Sequence, residues 1–297
     1  MPSHPRATNP LRIPYEQLKI AGSADLGSAD TSEKLLSLVS TSMHFLNDKC
    51  ITVDLLSRVS GKTYFSYAKR STPNSLSRPI NRALYNFNEQ AISKQWRKWI
   101  RPGAANAELA SLLYTMAIAY GAASDLFDRN NKKGPATYFE LLIGHLFARE
   151  LGVNPTKQVS LPVSGKPVRM TMDFLFKLGE GQPQVHLPVK ISTRERVVQA
   201  WAHQRILDAA YGHAKFRGIL VVFSETKLSS TARDVVEICV PDQWLAYQTF
   251  LAKMDRIYYF DMPFRYATLS RQFPVIRLKR FDEFFAEKEV VLSAPLV

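Results

Sequence analysis

Residues 185–196 read Val185-His186-Leu187-Pro188-Val189-Lys190-Ile191-Ser192-Thr193-Arg194-Glu195-Arg196, preceded by Val168-Arg169-Met170-Thr171-Met172-Asp173-Phe174-Leu175-Phe176. In the earlier stretch Val168, Met170, Met172, Phe174 and Phe176 alternate with Arg169, Thr171, Asp173 and Leu175. That period of two reads as a half-buried strand with Asp173 on its less apolar face. The turn residues Gly179-Glu180-Gly181-Gln182-Pro183 lead to a second strand, in which Val185, Leu187, Val189 and Ile191 share one face and His186, Pro188 and Lys190 the other. An acid and a lysine therefore fall on the two arms of one hairpin. Such a pair can hold a metal and activate water. Two arginines flanking a glutamate can instead read base edges, arginine donating in pairs to guanine and glutamate accepting from the cytosine amino group.

Upstream, Pro135 suits the first turn of a helix running to about Leu151, whose apolar residues include Phe139, Leu142, Ile143, Leu146 and Phe147, with Gly152 and Pro155 ending it. Downstream, Ser192 or Thr193 suits the cap of a helix from Arg194 to about Tyr211 that buries Val197, Val198, Trp201 and Leu207. Arg194, Glu195 and Arg196 would then occupy its first turn, where backbone N–H groups favour phosphate. Gly218 to Phe223 is a short apolar run that reads as a buried strand. The predicted order is helix, strand, strand, helix, strand.

That order, with acid, acid and lysine in place, resembles the PD-(D/E)XK nuclease core. More narrowly, Lys190-x-Ser192-x-Arg194-Glu195-Arg196 resembles the motif of type II restriction endonucleases that recognise CCGG, CCNGG or CCWGG sites. The resemblance covers roughly Pro135 to Phe223. It implies an α/β restriction-endonuclease-like core, a mixed central sheet flanked by helices, with a mostly helical N-terminal region. It implies further that Asp173 is the central metal ligand, that Lys190 orients or activates the attacking water, and that Glu140 is the supporting acid. Mg²⁺ suits so oxygen-rich a site. Arg194, Glu195 and Arg196, with Ser192 beside them, would read G·C pairs. The implied protein is a homodimer, or a tetramer of paired dimers, acting on a palindrome in double-stranded DNA within a prokaryotic cytoplasm.

Two positions depart from that pattern. Pro188 stands two residues before Lys190, where the general superfamily has its second acid, and His203 and Gln204 stand where the CCGG group takes an acid from the following helix. Either side chain can substitute as a ligand, directly or through water. Histidine suits oxygen-preferring Mg²⁺ less well, so Gln204 is the preferred substitute, positioning water beside Glu140 and Asp173. Loss of cleavage with retention of DNA binding is the other outcome of the missing acid.

Composition bounds these readings. A chain of 297 residues, 46% hydrophobic, can bury a full core, and 39 Lys and Arg against 26 Asp and Glu give a net charge of +13 that favours a polyanionic partner. Cys50 and Cys239 are far apart with no CxxC pattern, which fits a reducing cytoplasm and points to no zinc site or disulfide framework. The longest apolar run, around Leu112 to Ala123, is too short to span a bilayer, so no membrane partner is expected. The predicted organisation is a loosely ordered arm over 1–32, a helical DNA-binding or dimerisation region over 33–130, and the nuclease core over 131–297. Within the middle region, Ile51 to Tyr64 faintly suggests a helix-turn-helix, and Lys94-Gln95-Trp96-Arg97-Lys98-Trp99 reads as an amphipathic helix burying its tryptophans. The ordinary alternatives are a cross-strand ion pair for Asp173 and Lys190, a solvent-facing Glu140, a charged helix surface for the Arg-Glu-Arg run, a satisfied core or rim histidine for His203 and a surface position for Gln204. The competing functions are a DNA-binding protein without cleavage and a nonspecific repair nuclease.

Overall fold

The computed structural model describes residues 9–100, 108–194, 197–213, 215–229 and 233–293. In chain order the elements are α1 (Arg12–Ala24), α2 (Ala29–Lys49), β1 (Cys50–Ser57), β2 (Tyr64–Lys69), β3 (Thr72–Leu76), β4 (Ile80–Asn81), α3 (Glu89–Trp99), α4 (Leu109–Asp125) and α5 (Lys133–Leu151). They continue with β5 (Thr156–Val163), β6 (Lys166–Phe176), β7 (Gln184–His186), β8 (Val189–Lys190), α6 (Val198–Tyr211), β9 (Phe216–Ser224), β10 (Thr226–Leu228) and β11 (Asp234–Glu237). The chain closes with α7 (Pro241–Ala246), β12 (Arg256–Asp261), α8 (Phe264–Gln272), β13 (Leu278–Arg280) and α9 (Phe284–Ser293).

The central strand is β9, and every one of its nine residues is buried. Its apolar side chains divide by parity: Ile219, Val221 and Phe223 belong to the larger core, and Leu220 and Val222 to a second core with Trp201, Trp244 and Tyr266. A strand covered on both faces has to be apolar at successive positions, which is why this run reads as continuous instead of alternating. On the first face Phe223 meets Tyr114 of α4 at 5.3 Å and Phe139 of α5 at 5.8 Å between ring centroids. On the second, Trp201 of α6 meets Trp244 of α7 at 5.3 Å.

The sheet runs β13-β12-β9-β7-β6-β5, with β8 also paired to β9. Strands β5, β6 and β7 are antiparallel, and β7, β8, β12 and β13 run parallel to their neighbours. This is the mixed central sheet flanked by helices that was expected. The second predicted strand is broken in two at Leu187-Pro188, because Pro188 has no N–H to give a ladder. Its carbonyl still accepts from Val221 at 3.0 Å, so β7 and β8 both register on β9.

Three expectations are corrected. The arm over 1–32 is not loosely ordered where it is described: α1 buries Leu18 and Ala21, Leu11 and Leu26 are buried beside it, and Tyr15 stacks on Tyr120 at 5.0 Å. Leu11, Tyr15, Leu18 and Gly22 share one helical face, and the small residues allow close approach, with Gly22 lying against Leu141 and Gly144 against Leu26 and Phe174. Residues 1–8 lie outside the described residues.

The middle region is not all helical. Ile51 to Tyr64 forms an antiparallel hairpin of β1 and β2 in place of a helix-turn-helix, with Gly61 at φ 72° in the connection. Thr52, Val53 and neighbouring β-branched residues favour strand over helix. These strands build a second sheet, ordered β10-β11-β1-β2-β3 with β4 on β2, whose β10 and β11 come from beyond β9. The amphipathic helix burying Trp96 and Trp99 is α3, as expected.

The third correction concerns α6, which begins at Val198 and not at Arg194; neither Ser192 nor Thr193 caps it. Arg194 lies in a turn ahead of the helix, and Glu195 and Arg196 lie outside the described residues.

Candidate active site

Asp173 and Lys190 meet because β6 and β8 approach through β7 and β9. The Lys190 Nζ donates to Asp173 Oδ2 at 2.7 Å, and the Val189 backbone N–H donates to the same oxygen at 2.9 Å. Both side chains keep a fifth to a quarter of their surface in solvent, at 20% for Lys190 and 24% for Asp173. The pair is part-buried, and it is the fully buried large apolar side chains of the flanking cores, each contributing about 1.5–3 kcal/mol, that hold the strands. Packing positions these strands, and the pair is left available for chemistry.

Glu140 comes from the third turn of α5 and faces the same place. Its carboxyl is raised above the usual carboxylate range by burial and then by the negative charge of Asp173, with Lys157 and Lys190 acting in the opposite sense. Lys157 of β5 stands 4.0 Å from Glu140 Oε2. Helix α5 is held against the sheet by Phe139, Leu142, Ile143 and Phe147, and Glu140 is the acid on this largely buried stretch.

Among the described residues, no three His, Cys, Asp or Glu side chains converge as a metal-binding group. Glu140 lies close enough to Asp173 to feel its charge, and Asp173 Oδ1 accepts no hydrogen bond from the described residues. Mg²⁺ commonly takes one or two carboxylates and completes its shell with water and substrate phosphate, so Asp173 and Glu140 fit it as a donor set.

Gln204 does not join them. It is 2% exposed, its Oε1 accepts from His186 Nδ1 at 2.9 Å, and its Nε2 donates to Asp208 at 2.8 Å and to the Phe216 carbonyl at 3.0 Å. Both ends of the amide are committed inside the fold, which corrects its expected role of positioning water. The ring of His203, one residue earlier, lies 6.3 Å from that of His186 between centroids. It is half-buried, and its lowered basicity comes from burial first, with Asp173 opposing and Lys190 reinforcing the shift. Of the two side chains at the place of the missing acid, His203 is the one that faces Asp173 and Lys190.

Ser192 is half-buried, and the Arg194 guanidinium is exposed and donates to the Thr226 carbonyl at 3.2 Å. They line a cavity of about 450 Å³ that also includes Arg78, Arg129, Lys132 and Lys227. Asp125 also lines it and pairs with Arg78 at 2.8 Å, which leaves Arg129, Lys132, Arg194 and Lys227 as an excess of positive charge that suits a polyanion. The anchor of this loop, Glu225, was missed in the sequence. An acid directly after the apolar run 216–224 was the signal that could have found it.

The fold matches that of the type IIP restriction endonuclease Kpn2I, with a TM-score of 0.82 and 20% identity over 98% of this chain and 100% of that one. A complex of the restriction endonuclease PspGI with substrate DNA is also similar, with a TM-score of 0.42 and 14% identity over 62% of this chain and 79% of that one. No protein-family model matches, and no curated protein matches. The chain has the restriction-endonuclease-like α/β fold.

Proposed function

We propose that this protein is a type II site-specific deoxyribonuclease that hydrolyses double-stranded DNA with Mg²⁺ at a short palindrome with a CC/GG core, acting as a homodimer. The observation that carries the reading is the Asp173–Lys190 hydrogen bond at 2.7 Å, with Lys190 leading within four residues to Arg194. Chemistry and base reading would then share one continuous segment. The shared fold with Kpn2I and the net charge of +13 support a DNA substrate.

Asp173 and Glu140 would hold the metal, which when bound supplies charge stabilisation at the phosphate and lowers the pKa of a water. Lys190 is a cation fixed by Asp173 and by its pairing to Val222, and it would donate to the attacking water and to the phosphate oxygens as their charge grows. Arg194, with Glu195 and Arg196, would read the G·C pairs, and two-fold symmetry would present the same loop to each half-site.

The absent third carboxylate favours a second reading, a protein of this fold that binds DNA without cutting it. Digestion of a fully sequenced phage DNA with and without Mg²⁺, followed by sequencing of fragment ends, separates the two. Discrete Mg²⁺-dependent ends around a CC/GG core are the expected result. Intact DNA that still shifts in a gel supports the binding protein.

A further inference from the structure

We infer that Glu225 is the positioning residue of the base-reading loop, holding Thr193 so that Arg194 leaves the sheet in a fixed direction. The inference rests on the proposed reading role of Arg194 and extends it to a buried residue whose neighbours Ser224 and Thr226 line the same basic cavity.

Glu225 is fully buried, directly after the last residue of β9. Its carboxylate receives the Thr193 N–H at 2.9 and 3.1 Å, the Thr193 hydroxyl at 2.5 Å and the Tyr259 hydroxyl at 2.6 Å. The neighbours on either side are tied in step: Ser224 N–H donates to the Ile191 carbonyl at 3.1 Å, and Arg194 donates to the Thr226 carbonyl at 3.2 Å. Residues 191, 193 and 194 are thus fastened in order to residues 224, 225 and 226. The Tyr266 hydroxyl, 3.5 Å from the Thr193 hydroxyl, closes the far side.

A carboxylate is a costly group to bury, and core filling alone does not call for one. What it provides is an acceptor for two donors of the same residue, one backbone and one side chain, which fixes both the path of the main chain and the rotamer of Thr193. Thr193 is the residue between the lysine segment and Arg194. The lysine itself is held separately, by Asp173 and by the pairing of β8 with β9, so loosening Thr193 reaches Arg194 before it reaches Lys190.

The consequence is a separation of discrimination from chemistry. In Glu225→Gln the amide keeps the shape and its oxygen can take the place of Oε1, but the negative charge is lost and the amide N–H group at the Oε2 position meets the Thr193 N–H. Thr193→Val removes the hydroxyl and keeps the backbone N–H, and Thr193→Ser restores the hydroxyl. Single-turnover cleavage is measured at saturating enzyme on the site defined by wild-type fragment ends and on duplexes with one base pair of that site substituted.

The ratio of the two rates is expected to fall by about tenfold or more in Glu225→Gln and Thr193→Val, the scale of one bidentate base contact, and to return in Thr193→Ser. The rate on the intact site should fall by less than the ratio. An unchanged ratio in Thr193→Val, or equal losses on every duplex, overturns the inference, and the Thr193 pair decides alone if Glu225→Gln does not fold. If the wild type binds a site selected from random duplexes without cutting it, the nuclease reading fails, and the same change is expected in the binding ratio for that site. If the wild type neither cuts nor binds DNA, both fail.

Discussion

Asp173 Oδ2 accepts two hydrogen bonds at once, from the Lys190 ammonium at 2.7 Å and from the Val189 N–H at 2.9 Å. One carboxylate oxygen therefore fixes both the lysine and the strand that carries it, and leaves Oδ1 to look outward. Lys190→Met should lower the cleavage rate by about a hundredfold or more, within the range of a lost electrostatic donor, in a protein that stays folded because the packed cores hold these strands. Asp173→Asn should do the same to the rate. The check is single-turnover cleavage beside calorimetric melting; unfolding of either variant would mean that the pair is structural.

Glu140 and Gln204 should behave oppositely. Glu140→Ala removes one of two neighbouring carboxylates and is expected to abolish Mg²⁺-dependent turnover in a folded protein. Gln204→Ala leaves His186 Nδ1 and Asp208 without their amide partner in the interior, and is expected to cost about 1–3 kcal/mol of stability while Mg²⁺ dependence is retained. Titrating activity against Mg²⁺ in each variant checks both. A normal Mg²⁺ response in Glu140→Ala would falsify the two-carboxylate site.

Most of the core was legible because it is local. The alternation from Val168 to Phe176, the apolar run ending at Phe223 and the 3.6-residue spacing in α5 each follow from a single element burying one face or both. The second sheet was not legible, since β10 and β11 reach it from more than a hundred and fifty residues beyond β1, and nothing in Ile51 to Tyr64 announces that partner. The same holds for the site. Asp173 and Lys190 lie on the two arms that the sequence reads as one hairpin, the second arm being broken into β7 and β8, and periodicity could pair them. The inward turn of Gln204 depends on Asp208, its i,i+4 neighbour in α6, and on His186 and the Phe216 carbonyl, two contacts from other strands that helical spacing does not encode. Likewise Ser192 and Thr193 carry the composition of a helix cap, but Thr193 is claimed by Glu225 just beyond β9, and α6 starts later without one.

Gly144 connects packing to the site. A Cβ there would stand 2.7 Å from the Phe174 ring and 2.8 Å from a Leu26 methyl, inside van der Waals contact on both sides. Phe174 is fully buried and follows Asp173 directly, so its displacement is transmitted to the carboxylate. Gly144→Ala is expected to destabilise the fold by about 1–3 kcal/mol, as overpacking does, and to lower turnover beyond what the unfolded fraction explains. Denaturant midpoints and cleavage measured at a temperature where the variant is folded provide the test; wild-type turnover in the folded variant would show that the strain is absorbed by Leu26 alone.

Acid should unfold this protein partly through its buried histidines. The His145 Nδ1 donates to the Leu26 carbonyl at 2.7 Å, which fixes the neutral tautomer, while its Nε2 is buried without a partner. Burial pushes its pKa down to about 4, and burial does the same to His186, also to about 4. In the unfolded chain histidine takes its proton near pH ~6.5. Between that value and about 4 the unfolded state therefore holds a proton that the folded state lacks at each site, so stability falls as pH drops through this window and levels below it. Glu225 works in the reverse direction: burial raises it to about 7, so the folded state holds the extra proton, and its contribution is present below the unfolded carboxylate pKa and lost as pH rises through about 7. His203, lowered by burial, adds to these histidines, and Glu140, Asp208 and Asp255, each raised by burial, add to Glu225, so each group's part is read from its own variant. His145→Asn preserves a donor for Leu26 and removes the titration, and urea unfolding from pH 4 to 7 should show a flatter decline than the wild type. Glu225→Gln should show a steeper one, because its opposing contribution is gone. Parallel curves for wild type and His145→Asn would mean that His145 is already charged in the folded protein.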